Sequence, residues 1–221
     1  MIAPSVARTA RAPRRARLAA VAATSLLLAA CALPINRQPP QQTYRLTAAR
    51  IDSAPLPRPV VLQLLPVRAA AGFQSPAMMY SRSADTLDPY RDNRWLAPPA
   101  QLIGDAIAHT LSRQPWVSAV QQQGALASAP WALHCTLDRL EHDVRGTQGS
   151  AHLDLTCELA DPRTRRISAH WHFDGSQSLA VNDAGHFARG AQTLLDQALA
   201  DVVQRTRAVV AADQEAKPTA P

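Results

Sequence analysis

Between Trp131 and Phe173 apolar residues recur at every second position, in three runs separated by two turns. Trp131, Leu133, Cys135 and Leu137 share one side of the first run, with His134, Thr136 and Asp138 on the other. The second run sets Ala151, Leu153, Leu155, Cys157 and Leu159 against His152, Asp154, Thr156 and Glu158. In the third, Ile167, Ala169, Trp171 and Phe173 alternate with Ser168, His170 and His172. A period of two sends successive side chains to opposite faces of a strand, which no helix can do. Residues 145–150, with Gly146 and Gly149, and Asp161-Pro162-Arg163-Thr164 supply the turns. The stretch predicts a three-stranded antiparallel meander with one apolar face. That face must be covered, and the requirement organises the rest of the chain.

Two segments have the pattern of a cover. After Pro98 and Pro99, the residues Leu102, Ile103, Ala106, Ile107, Thr110 and Leu111 form a stripe at helical spacing, which Pro115 ends. No good side-chain N-cap precedes it. A final helix, with Asn182 or Asp183 as cap, buries Phe187, Ala191, Leu194, Leu195, Ala198, Val202 and Val203. Further strands are predicted at Tyr44-Arg45-Leu46, at residues 60–67, at Ala77-Met78-Met79-Tyr80 and at residues 116–120. The near-continuous apolar run of residues 60–67 suits a strand covered on both faces. Residues 68–75, 81–94 and 121–130 read as loops, and 211–221 have the composition of a disordered tail. The fold class is α+β: a largely antiparallel or mixed sheet, a C-terminal three-stranded meander and two helices packed on one face. A single domain is expected over residues 44–210.

The N-terminal segment has a different logic. Arg8, Arg11, Arg14, Arg15 and Arg17 precede an uncharged run, residues 18–30, which ends in Leu28-Ala29-Ala30-Cys31. The run has the length of a signal-peptide core and is too short to span a bilayer as a helix. The ending reads as a bacterial lipobox, so residues 1–30 are expected to be removed and Cys31 to carry acyl chains. Several acyl chains anchor a protein stably where one does so marginally. Residues 32–43, rich in Pro and Gln, read as a tether reaching roughly 40 Å when extended. Ala32 stands where lipoproteins retained in the inner membrane commonly carry Asp, which favours the outer membrane, on its periplasmic face.

Charge then excludes one class of partner. The chain has 23 Lys+Arg, 17 Asp+Glu and a net charge of +6. Without the five arginines of residues 1–30, 18 basic residues face 17 acidic ones. The basicity belongs to the leader, and no domain has the electrostatic footprint of a nucleic-acid binder.

An ordered set of segments carries a family resemblance. The lipobox leads to the strand at residues 60–67, to Met79-Tyr80-Ser81-Arg82, and to the run Tyr90-Arg91-Asp92-Asn93-Arg94-Trp95-Leu96-Ala97-Pro98-Pro99. The amphipathic helix follows, then Leu137-Asp138-Arg139-Leu140-Glu141 and the Asp161-Pro162-Arg163-Thr164 hairpin. Over residues 44–209 this resembles the ABC-type transport auxiliary lipoproteins, the PqiC/YmbA-like family. No single motif is specific; the order is. The resemblance implies an outer-membrane lipoprotein working beside an ABC transporter and an MCE-domain protein in moving lipid or organic solvent across the envelope. Its expected partners are the outer membrane through the acyl chains of Cys31 and the MCE-domain protein with its ABC transporter; such assemblies are often cyclic homo-oligomers, which nothing in this sequence itself shows. It implies no catalytic residue. Tyr80 and Trp95 stand where the family usually has an aromatic, and the Cys135/Cys157 pair is not part of the family pattern.

Among residues able to carry chemistry, Cys135 and Cys157 come first. If the turn centres on residues 145–147, the two oppose each other across a hairpin and form a disulfide; the alternative is a pair of buried thiols. Neither has redox CxxC spacing. His134, His152, His170 and His172 share the outward face, and in one register His152 neighbours His172 while Asp154 lies beside His170. A metal site there competes with a plain solvated sheet surface, which is the preferred reading, and HExxH spacing is absent. No GxSxG elbow, reactive cysteine or framed carboxylate pair suggests an enzyme. Met78, Met79, Tyr80, Tyr90 and Trp95 either contact a partner or lipid or fill the core. The functional expectation is a non-enzymatic docking component with no cofactor beyond the lipid on Cys31. The alternatives are a lipid shuttle with its own apolar pocket and an assembly factor of another envelope machine.

Overall fold

A computed structural model describes residues 40–122 and 129–216. The leader, Cys31, residues 32–39 of the tether, the middle of the 121–130 segment and residues 217–221 lie outside the described residues. In chain order the elements are β1 (Gln42–Tyr44), β2 (Val60–Leu64), β3 (Arg68–Ala69), β4 (Ala77–Ser83), β5 (Thr86–Trp95), α1 (Pro99–Ser112), β6 (Val117–Gln121), β7 (Trp131–Asp143), β8 (Ser150–Asp161), β9 (Arg166–Ser178) and α2 (Ala184–Ala216). Together they make the α+β fold that the patterning predicts.

The long strand β7 is the spine of one mixed sheet. Along one edge it takes β2, β3 and β4 in turn, all parallel, with Leu62 opposite Trp131, Arg68 opposite Thr136 and Met79 opposite Glu141. Pro66, which has no N–H to donate, and the bend at residues 71–76 break this side into three short pieces. The other edge takes β8 antiparallel from Ala132–Ala160 to Asp143–Ser150, and β9 extends the meander. Outside β2 lies β6; outside β4 lie β5 and then β1.

Two bulges change the phase of the alternation. Leu137 pairs with Leu155 and Arg139 with Asp154, so Asp138 is the extra residue on β7. One inserted residue swaps the faces of everything after it. Before the bulge the odd positions point inward; after it Leu140 and His142 do, at 1% and 0% exposure. On β9, Ser168 is the extra residue between Ala169 and Ile167. Ile167 therefore faces outward and is 59% exposed, not part of the apolar face its spacing suggests.

The helices cover the inward face. Leu133, Cys135, Leu137, Leu153, Leu155, Cys157 and Leu159 are buried beneath them. On α1, Pro99 occupies the first turn without a side-chain cap, and Ile103, Ile107 and Leu111 are fully buried. Its end is fastened by Gln114, which is 3% exposed and donates from Nε2 to the carbonyls of Ile51 and Thr110. Of the two candidate caps of α2, Asp183 accepts the N–H of His186 at 2.7 Å. The buried stripe runs on through Thr206 and Val210.

Three expectations are corrected. Residues 81–94 are not a loop but the end of β4 and most of β5. Their polarity belongs to an outer hairpin with register shifts at Ala77/Met79 and Tyr80/Ser83, which blur the alternation. Residues 68–75 contain β3. Residues 211–216 continue α2: Gln214 donates to the carbonyl of Arg58 at 2.6 Å and accepts its N–H, which ties the helix end to the N-terminal segment.

Candidate functional site

Met78, Met79, Tyr80, Tyr90 and Trp95 come from β4 and β5, where these strands meet the end of β7 and the start of α2. The antiparallel pairing sets Tyr80 opposite Asp88, and the Tyr80 and Tyr90 rings lie 4.9 Å apart. Met78 and Trp95 are fully buried and Met79 is 9% exposed, so these three fill the core and offer a partner no surface. Tyr80 and Tyr90 are half-buried and remain the members of the set that reach solvent.

The two tyrosines belong to a stack that runs from solvent into the core. The Arg82 guanidinium sits 5.6 Å from the Tyr80 centroid and pairs with Asp88 at 2.7 Å. Tyr90 Oη shares a 2.7 Å hydrogen bond with His142 Nδ1. The His142 ring stacks on Phe187 at 5.3 Å, and Phe187 meets Trp95 edge-on at 5.7 Å. Such contacts add about 0.5–1.5 kcal/mol each beyond area burial. His142 Nε2 has no hydrogen-bond partner among the described residues. A Cβ on Gly149 would lie 2.5 Å from that nitrogen and 2.7 Å from Asn182 Oδ1, so only glycine fits there.

Burial sets the ionisation of this stack. It pushes Tyr90 up to about 12 and holds His142 below the ordinary histidine value, outweighing the nearby Asp183 and Asp143 carboxylates and Asn182. The imidazole is neutral at pH 7. Its ring lies between Tyr90 of β5 and Phe187 of α2, so the stack braces the β4–β5 hairpin against α2.

The outward face of the meander separates the residues weighed for a metal. His152 lies opposite Glu141 and Ser176, whereas His172 lies opposite Thr156; the two are not neighbours. His134 and His170 flank Glu158, and Asp154 faces Asp174 and Arg139 rather than His170. Among the described residues no group of three His, Cys, Asp or Glu is arranged to hold a metal ion. Burial and the facing Asp174 raise Asp154 to about 6, against the pull of Arg139.

Cys135 and Cys157 are directly opposed in register and joined as a disulfide, with Cα atoms 4.1 Å apart. Both are fully buried, so the bridge ties the spine to β8 beneath the helices.

An apolar groove of about 470 Å³ lies between the β2–β3 connection and the first turns of α1. Leu64, Val67, Ala69, Ala100 and Gly104 line it, and it is open to solvent on one side. The alternation of the strands gave no sign of it, nor of His142, because both arise from the way segments meet. Among the described residues no helix is long and apolar enough to cross a membrane.

Comparison with known proteins places this architecture. The crystal structure of protein XCC0632 from Xanthomonas campestris superposes with a TM-score of 0.71 at 18% identity, covering 80% of this chain and 99% of that one. An uncharacterized protein of known structure gives 0.61 at 14% identity, over 76% and 99%. At such identities the likeness is one of fold. No curated protein sequence matches the chain. The family described as the ABC-type transport auxiliary lipoprotein component matches residues 44–203, from the first strand to the buried stripe of α2. The chain belongs to the ABC-type transport auxiliary lipoprotein component family.

Proposed function

We propose that the protein is a non-enzymatic lipoprotein of the outer membrane that docks the periplasmic part of an MCE-type ABC lipid-transport system at that membrane. The observation that carries the reading is the family match over residues 44–203, which joins a lipoprotein to an ABC-type transporter. The lipobox supplies the anchor at Cys31, and Ala32 directs it to the outer membrane. The mechanism is placement. The acyl chains hold the protein at the membrane, the Pro/Gln-rich tether gives reach, and the disulfide-tied sheet presents a stiff surface.

A shuttle with its own lipid pocket is the second reading, favoured by the 470 Å³ groove, whose size falls within the range of small-molecule sites. It ranks second because the groove is an open trough at the domain's surface. The space between sheet and helices, where an acyl chain would be shielded, is filled by Leu133, Ile107, Leu195 and their neighbours.

Envelope fractionation tests the anchor. The full chain is expected with the outer membrane, and Cys31→Ala is expected to be depleted from that fraction. Recovery of the wild-type chain in the inner membrane would overturn the reading.

A further inference from the structure

A second pocket, of about 410 Å³, lies on the outward face between the β4–β5 hairpin and the end of β7. It is polar where the first groove is apolar. Ser81, at its base, is 5% exposed, and its hydroxyl has no hydrogen-bond partner among the described residues. Arg139 is ion-paired on both sides, its Nε 3.4 Å from Asp154 Oδ2 without hydrogen-bond geometry and its Nη1 4.0 Å from Glu141 Oε1. The Ser81 hydroxyl thus lacks a partner in the pocket, and an unmade buried hydrogen bond is costly.

The rest of the lining says what would supply those acceptors. Arg145 is oriented by Asp143, which holds its Nε and Nη2. Two guanidiniums and the unpartnered Ser81 hydroxyl point to an acceptor with several oxygens, and a phosphoryl group matches Arg forks in geometry and charge. The lining also includes the carboxylates of Glu141 and Asp85. A bare phosphate would meet repulsion from both, and a bare amine repulsion from both arginines. A ligand carrying both signs complements the set, in which Asp143 already pairs with Arg145 and Glu141 with Arg139.

We infer that this pocket binds a phosphate ester bearing an amine, of the phosphoethanolamine type. The phosphoryl oxygens sit on Ser81, Arg139 and Arg145, and the ammonium sits by Asp85 and Glu141. The group has two sources, a soluble phosphoamine or the head of a lipid. The inference goes beyond the docking reading and does not depend on it: binding here survives Cys31→Ala, and its failure leaves docking untouched.

The test is calorimetric titration of the full chain in a phosphate-free detergent. The probes are O-phosphoethanolamine, dihexanoylphosphatidylethanolamine, inorganic phosphate, ethanolamine and glycine. Saturable binding of O-phosphoethanolamine alone supports the site with a soluble source; binding of the short-chain lipid as well supports it with a head-group source. Losing one charge-assisted contact should weaken binding about tenfold in Ser81→Ala and in Arg145→Met. Ser81→Ala removes one atom and Arg145 is exposed, so unchanged circular dichroism is expected of both. The inference is overturned if no probe binds, if inorganic phosphate or glycine binds as tightly as phosphoethanolamine, or if neither variant changes the affinity.

Discussion

Tyr90 and His142 show how one hydrogen bond can sit at the centre of a larger arrangement. The bond joins β5 to β7, and the ring on its far side is held flat against Phe187 of α2. Tyr90→Phe keeps the ring and leaves a buried nitrogen unpartnered. A loss of about 1–2 kcal/mol in the free energy of unfolding is expected in urea titration; no change would mean that ring packing alone braces the hairpin. Asp154 offers a test in pH. Its carboxyl titrates near 6 in the folded protein, above the ordinary aspartate value, because it is buried and faces Asp174. Between pH 4 and 6 the folded state therefore holds a proton that the unfolded state has shed, and stability falls as pH rises through that window. Asp174→Asn removes the facing charge and should flatten the fall, raising the melting temperature at pH 8 more than at pH 4. His142 works in the opposite sense. Its depressed value means that stability is lost as pH drops below about 6.5; His152 behaves alike and also feels Asp174, so the difference between the two proteins reports Asp154 together with His152. An equal gain at both pH values would contradict the assignment. None of this was legible in the sequence, because His142 follows the bulge at Asp138 and a bulge leaves no mark in composition.

At the scale of elements, the meander and the two amphipathic helices were readable because each has an uninterrupted period and one buried face. The hairpin of β4 and β5 was not. Its residues face solvent on the outer side, Pro89 and the register shifts interrupt the alternation, and the polarity of Asp85, Asp88 and Asp92 reads as loop. The end of α2 was missed for a related reason: its hold comes from Gln214 and Arg207, which bond the backbone of Arg58, Ala54 and Pro55, and not from an apolar stripe. The disulfide closes a sequence separation of 22 residues. The chain-entropy estimate for such a loop is about 3 kcal/mol. The double substitution Cys135→Ala, Cys157→Ala should lower the free energy of unfolding by at least that amount in urea, since it also thins the core. A loss below about 1 kcal/mol would show that the bridge adds little to a hairpin already held by its ladder.

For the whole molecule, the α+β class followed from the need to cover the meander, and the family from the order of segments. The candidate contact residues fared differently, since a Met or Trp in a strand reads the same whether it points to a partner or to the core. Three of the five are core. The proposed role rests on a rigid domain held at a membrane by a tether, with a partner that spans the gap. The most direct measurement is affinity capture of the tagged full chain from detergent-solubilised envelopes, with mass spectrometry of the proteins and lipids recovered, repeated with Cys31→Ala. The account predicts an MCE-domain protein with its ABC subunits, reduced or lost without the anchor. Recovery of stoichiometric phospholipid and no transport protein would contradict it.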